Sequence, residues 1–261
     1  MKIYTYYEDV GFGFQEKLIK LWKQSWSNNG FEPIVLNRED AESSTLYQKY
    51  YEFIQRIHKN ISDKILPENS YHLAAQLAIV AFTTIDKKKP AYISDYDVIN
   101  KNFQHKDKSV KLHWRDECCS CFASGNGEGW IRYVNFLFSE EKTITDWCLN
   151  EKLKTKREYF HDQDFLIAIK NQGLDKNIYN MSRKPHLCQK YFPPTTYEQT
   201  QIKLYHISHQ NVIDLIEVYK QCHHLCNFNN DNYNQKTNYE VEEIRCKIAN
   251  RIIQHNTQDQ P

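Results

Sequence analysis

PAYISDYDVINKNF, residues 90–103, runs a short apolar stretch directly into two aspartates one position apart. Ala91, Tyr92 and Ile93 suit a buried strand, and Pro90 can stand at the start of one. Asp95 and Asp97 repel each other unless a cation, or the backbone N–H groups of a turn, lies between them. Side-chain alternation therefore gives way to a turn at this point. The stretch reads as a central strand with its carboxyl end at the aspartates. In open α/β sheets, that is the side on which ligands bind.

Working upstream, YHLAAQLAIVAFTTI (71–85) is apolar nearly all round, as a helix buried against a sheet must be. STLYQKYYEFIQRIHKNI is an amphipathic helix before it. At the start, KIYTYY (2–7) is β-branched and aromatic, which favours a strand. Leu18, Leu21 and Trp22 then recur at helical spacing in QEKLIKLWKQSW, with Trp26 one turn further on. The NNG that follows closes the helix with a residue suited to positive φ. FEPIVLN (31–37) is the second strand. Strand, helix and strand in this order predict a parallel sheet with a helical crossover.

Downstream, KLHWRDECCSCFAS holds at least one more strand, and GNGEGWIRYVNFLF turns into a helix. ITDWCLNEKL and QDFLIAIKNQ are helical, and IKLYHISH (202–209) is a late strand followed by the helix QNVIDLIEVYKQCHHL. NFNNDNYNQKTN (227–238) is a polar, Asn-rich linker. Beyond it Val241, Ile244, Ile248 and Ile252 form one apolar helical face, which must dock on the body or on a partner. The sequence thus predicts an α/β protein with one main domain and a C-terminal helical tail.

Composition limits the function classes. Aromatic residues make up 14% of the 261, including 18 Tyr and 13 Phe, enough for a substantial core. Lys and Arg number 34 against 33 Asp and Glu, a net charge of +1. That balance argues against a nucleic-acid binder, which would carry a basic excess or stripe. The basic DKKKP at 86–90 reads as the solvated lead-in to a strand. MKIYTYYEDV lacks the apolar core of a signal peptide, and HLAAQLAIVAFTTI is too short and too broken by Gln76 to span a bilayer. The expectation is a soluble, cytoplasmic protein whose eight cysteines are mostly reduced and buried. Cys118, Cys119 and Cys121 form one cluster, and Cys222, His223, His224 and Cys226 another. Neither has standard zinc-ribbon spacing.

Two carboxylates converging on one point make a hard-oxygen site for Mg²⁺ or Mn²⁺, which complete an octahedron with waters and phosphate oxygens. The plainer reading has one aspartate capping the turn and the other solvated. A calcium EF-hand loop starting at Asp95 fails, because its sixth and twelfth positions hold Asn100 and Lys106. Gly125, Gly127 and Gly129 do not form a dinucleotide fingerprint, since Trp130 stands where the third glycine belongs. Asp-x-Asp at a strand end also serves haloacid-dehalogenase-type phosphatases, with the first aspartate as nucleophile; there the motif usually sits nearer the N-terminus of the domain.

Three motifs, in order, resemble the GT-A-type nucleotide-sugar glycosyltransferases. AYISDYDVI is similar to that family's metal-binding Asp-x-Asp. HDQDFLIAI (161–169) resembles the Asp-Gln-Asp-x-Leu-Asn segment of the branch containing glycogenin and bacterial galactosyltransferases, with Ile167 in place of the Asn. KLYHISH resembles that branch's late strand ending in a metal-binding His. The similarity in element order covers roughly residues 1–215, and the three motifs are its specific part. The resemblance implies a Rossmann-like GT-A domain over residues 1–226, with a mostly parallel central sheet flanked by helices. A linker (227–238) and an amphipathic tail (239–261) complete the chain, the tail offering a surface for a homodimer.

The resemblance also implies roles. Asp95 would contact the ribose or donor sugar and assist the metal, and Asp97 would be the principal metal carboxylate. His206 would supply the imidazole, with His209 the alternative ligand. Tyr4, Thr5 and Tyr6, with Tyr96 between the aspartates, would cradle the nucleotide, and Tyr7 is a further ring that can flank a base. Asp162 would bind donor-sugar hydroxyls, Gln163 would lie against the reacting face, and Asp164 would anchor the acceptor or the helix start. The bare backbone of ASGNGEG (123–129) could approach the donor sugar. The implied partners are Mn²⁺ or Mg²⁺, a UDP- or GDP-linked sugar and a saccharide acceptor. An Mg²⁺-dependent phosphatase using Asp95, or a non-catalytic carbohydrate-binding module on a transferase scaffold, are the alternatives.

Overall fold

The computed structural model describes residues 1–10, 15–104, 122–173, 188–190, 204–208 and 236–258. Strand β1 (Lys2–Tyr6) leads to helix α1 (Glu16–Ser27), which buries Leu18, Ile19, Leu21, Trp22 and Trp26. Gly30, at φ +80°, turns the chain out of that helix in a conformation that favours glycine. Strand β2 (Glu32–Leu36) then lies parallel to β1, with Lys2 opposite Glu32 and Tyr6 opposite Leu36. The predicted β-α-β opening is therefore present.

Helix α2 (Arg38–Glu42) had no counterpart in the sequence reading, because five residues are too few to show a period. Asn37 caps it through a reciprocal pair: Asp40 N donates to Asn37 Oδ1 at 3.2 Å, and Asn37 N to Asp40 Oδ2 at 2.8 Å. Helices α3 (Tyr47–Ser62) and α4 (Tyr71–Ala81) follow, α4 capped by Ser70 and extended by one 3₁₀ turn at Phe82–Thr84.

Strand β3 (Ala91–Ser94) is wholly buried and parallel to β1, pairing Ile3 with Tyr92 and Tyr4 with Ile93. The strand ends just before the aspartates, as expected, and a second strand follows them. The chain leaves the first sheet after Ser94, and β4 (Val98–Asn100) belongs to a second. Strand β5 (Phe122–Gly125) closes the first sheet antiparallel to β3. Helices α5 (Gly127–Ser139), α6 (Glu141–Thr155) and α7 (Asp162–Asn171) come next. Strands β6 (Cys188–Lys190) and β7 (Leu204–His206) precede the long helix α8 (Lys236–Gln258). Helix α8 begins inside the stretch read as a linker. The sheets have orders β2-β1-β3-β5 and β4-β7-β6.

Alternation along β1 and β3 divides the core in two. Tyr4, Tyr6, Ala91 and Ile93 face the layer formed by α3 to α7. Ile3 and Tyr92 face the other way, onto α1, β4, β7 and α8. The fold is thus α/β, with a mostly parallel mixed sheet flanked by helices. The apolar face of α8 docks on the body: Val241, Ile248 and Ile252 are buried with Leu18 and Trp22, and Ile244 packs at its margin. Cys148 and Cys246 are buried free thiols. The two cysteine-rich clusters and the helix expected after residue 209 lie outside the described residues. Among the described residues, no helix is long and apolar enough to cross a membrane.

Candidate functional site

Two tryptophans one turn apart on α1 fix the strand ends beside the aspartates. Trp22 Nε1 donates to Ser94 Oγ at 2.9 Å, and Trp26 Nε1 to the carbonyl of Val98 at 3.1 Å. Between those points Val98 N donates to Asp95 O at 3.1 Å, closing the turn that carries both carboxylates. Strand β7 completes the arrangement. Its register places His206 opposite Val98, and Ile207 N donates to Asp97 O at 3.0 Å. The imidazole is brought to the aspartates by backbone pairing, the most rigid tether available.

Asp95, Asp97 and His206 each offer a ligand atom, and these atoms lie within 4.8 Å of one another. His206 Nε2 is 3.2 Å from Asp97 Oδ1, yet Oδ1 is buried and accepts no well-formed hydrogen bond. Asp97 Oδ2 accepts from Arg245 Nη2 at 2.9 Å. Arg245 also donates from Nε to the carbonyl of Ile207 at 2.8 Å and pairs through Nη1 with Glu242. Its guanidinium lies 5.9 Å from the centre of the Tyr96 ring.

The sequence reading missed Arg245 and Glu242. A signal existed, because Arg245 sits one turn after Val241 on the apolar stripe, where a charge needs a buried partner.

Burial pushes the Asp95 carboxyl up to about 7, with the neighbouring Asp97 charge adding to the rise and His206 opposing it. Burial pushes Asp97 in the same direction, but His206 and Arg245 outweigh it and hold that carboxyl below its usual range. Two adjacent carboxylates are thus driven apart in proton affinity by their surroundings. The Tyr71 hydroxyl is raised by burial, then by Asp95 and Asp97.

A cleft of about 630 Å³ opens over this cluster. Thr5, Tyr6, Asp95, Tyr96, Asp97, Asp162, Gln163, Asp164 and His206 all line it, so the structure gathers nearly every residue singled out from the sequence. Tyr4 is the exception. It points into the core below, one residue pair down the strand from Tyr6. Thr5 Oγ1 is buried without a hydrogen-bond partner. Tyr6 donates to Glu8 at 2.7 Å, and Tyr7 meets Tyr96 edge to face at 5.8 Å.

Asp164 is 5% exposed and fully engaged. Arg157 grips it at 3.0 and 2.7 Å, and His161 N donates to it at 2.7 Å. Of the two roles expected for Asp164, this geometry matches anchoring of the helix start. His209 lies outside the described residues.

The glycine-rich turn is closely packed at Gly127. Gly127 N donates to Asp86 O at 2.9 Å, and a Cβ there would stand 2.5 Å from Ile85 O. The bare backbone is used for close packing against residues 85–87. Trp130, in the first turn of α5, is the residue from this segment that reaches the cleft.

No protein-family model and no curated protein matches the chain. The site must therefore speak through its own chemistry. Two carboxylates and one imidazole form a mixed oxygen and nitrogen donor set. Carboxylates suit Mg²⁺ and Mn²⁺, whereas the imidazole is a donor that Zn²⁺ and Fe²⁺ also accept. Asp97 Oδ1 is buried, faces His206 and accepts no well-formed hydrogen bond, a setting in which a cation could satisfy it. The residues fit a small divalent cation.

Proposed function

We propose that this chain transfers a sugar from a nucleoside-diphosphate sugar to an acceptor hydroxyl on a saccharide, in glycan or surface-polysaccharide assembly. The observation that carries the reading is the meeting of Asp95, Asp97 and His206 in a cleft that Asp162 and Gln163 also line. Asp95, Asp97 and His206 would hold Mn²⁺ or Mg²⁺. When bound, such a cation offsets the negative charge that builds on a departing diphosphate.

The chain's own groups supply the rest. Tyr7 and Tyr96 present aromatic surfaces to a nucleobase at the end of β1. The Asp162 carboxylate accepts hydrogen bonds from sugar hydroxyls, and the Gln163 amide both donates and accepts beside the reacting face. Ala74 and Ala78 on α4 keep that wall small and apolar, leaving room for a sugar ring while limiting water.

Thermal-shift measurement with UDP- and GDP-sugars tests this reading. The melting temperature should rise with nucleotide sugar only when Mn²⁺ is present, and Asp97→Asn should remove the shift. An aspartyl-phosphate trapped at Asp95 would replace the reading with a phosphatase. Donor hydrolysis at background with every common nucleotide sugar and Mn²⁺ would leave a carbohydrate-binding module.

A further inference from the structure

Asp97 divides its two oxygens between unlike surroundings. Oδ2 accepts from Arg245 at 2.9 Å, whereas Oδ1 has no hydrogen-bond partner and faces His206. Arg245 is in no position to release its oxygen. Its side chain is 2% exposed, and it is pinned at three points: Asp97, Glu242 and the carbonyl of Ile207. The planar guanidinium therefore fixes the rotation of the Asp97 carboxylate as well as its position.

We propose that Arg245 is a specificity-determining positioning residue: by occupying Asp97 Oδ2 it leaves Asp97 a one-oxygen ligand, and so selects a small octahedral cation over a large one. This rests on the cation reading above and extends it to a helix that supplies no ligand itself. Ca²⁺ takes about six to eight oxygens at about 2.3–2.6 Å and often binds a carboxylate through both. Mg²⁺ holds about six ligands at about 2.0–2.1 Å and is served by single oxygens. Locking one oxygen away removes a contact that only the larger ion uses. Glu242 keeps the arrangement in balance, because its charge offsets that of Arg245 while Asp97 keeps its own for the cation.

The test compares Mn²⁺ and Ca²⁺ dissociation constants by titration calorimetry on the full chain, with circular dichroism melts to establish folding. Arg245→Lys keeps the charge but loses the fork. The double variant Arg245→Gln/Glu242→Gln removes both charges together, leaving the net charge unchanged. The wild type should prefer Mn²⁺, and both folded variants should narrow the Mn²⁺:Ca²⁺ ratio by roughly tenfold, the scale on which outer partners act. A ratio unchanged in folded variants that still bind Mn²⁺ overturns the inference and leaves the cation reading standing. A wild type that binds neither ion overturns both. Infrared difference spectra of the wild type need no variant to fold: Mn²⁺ should produce only the wide carboxylate splitting of one-oxygen coordination. A narrow, two-oxygen splitting would also overturn the inference.

Discussion

Asp97 meets Arg245 with one oxygen and faces His206 with the other, so replacing it with asparagine removes a charge from beside a buried guanidinium. Asp97→Asn should weaken Mn²⁺ binding by more than the ~10–100-fold that outer partners are worth. It should also destabilise the fold by about 3–5 kcal/mol, because a buried pair loses one member. Calorimetry reads the first effect and chemical denaturation the second. Retention of Mn²⁺ affinity would remove Asp97 from the ligand set. His58 is a second buried polar group with a measurable consequence. It is fully buried, neither ring nitrogen makes a well-formed hydrogen bond, and burial lowers its pKa to about 4. The groups facing it are the Phe160 backbone, which opposes the shift, His72, His161, Asp164 and the Tyr159 ring. A folded-state pKa below the ordinary value of 6.5 means that protonation favours the unfolded chain. The neutral ring's contribution is complete above that ordinary value and is lost as pH falls towards 4. The loss amounts to about 3 kcal/mol over that window. Burial also lowers His161 to about 4 and lowers His72, so urea melts from about pH 7 to about pH 4 should be at least this steep, and His58→Leu should reduce the slope without abolishing it. An equal slope in the variant would place the effect elsewhere.

Helix α5 meets the backbone of residues 85–87 through Gly127, where an added Cβ would stand 2.5 Å from Ile85 O and 3.2 Å from Thr83 O. Both neighbours are backbone atoms and cannot rotate away. Gly127→Ala should therefore destabilise the protein by about 1–3 kcal/mol. The same change at Gly129 meets only the ends of the Asn126 and Arg132 side chains and should be milder. Paired denaturation curves decide this, and equal midpoints would refute it. Elements of this size were mostly legible from the residues. Leu18, Leu21, Trp22 and Trp26 spelled out the buried face of α1, and the stretch at 71–81, apolar nearly all round, marked a helix enclosed by the core. What escaped was pairing. Val98 and Ile99 look like a continuation of β3, because alternation reports burial and not which sheet a strand joins. Arg245 escaped for the same reason, since only the docking of α8 beside β7 places it on Asp97. The candidate ligands were legible because Asp-x-Asp and the late His are chemically conspicuous. Their second partners depended on long-range register.

At the scale of the whole molecule, α8 covers a face that the sheet leaves open while its Arg245 reaches Asp97. Four of its apolar side chains, Val241, Ile248, Ile252 and Ile253, are buried against α1, β4 and β7. At about 1.5–3 kcal/mol for each such residue, their burial is comparable to the ~5–15 kcal/mol that holds a typical domain folded. Estimates from buried area are upper bounds, so removal of the helix should bring the chain near its folding threshold rather than far beyond it. A chain ending at residue 235 should therefore expose Trp22, Trp26 and Leu18, bind a hydrophobic dye, and melt well below the full-length protein. It should also lose Mn²⁺ affinity, because Asp97 loses the cation that orients it. A synthetic peptide spanning residues 236–258, added in trans, should recover both properties together, and the Arg245→Gln form of that peptide should recover folding more fully than it recovers Mn²⁺ binding. Fluorescence melts and Mn²⁺ titration on the same mixtures provide the comparison. Should the truncated chain bind Mn²⁺ as tightly as the full one, α8 would be a cover for the apolar face alone, with no part in shaping the site.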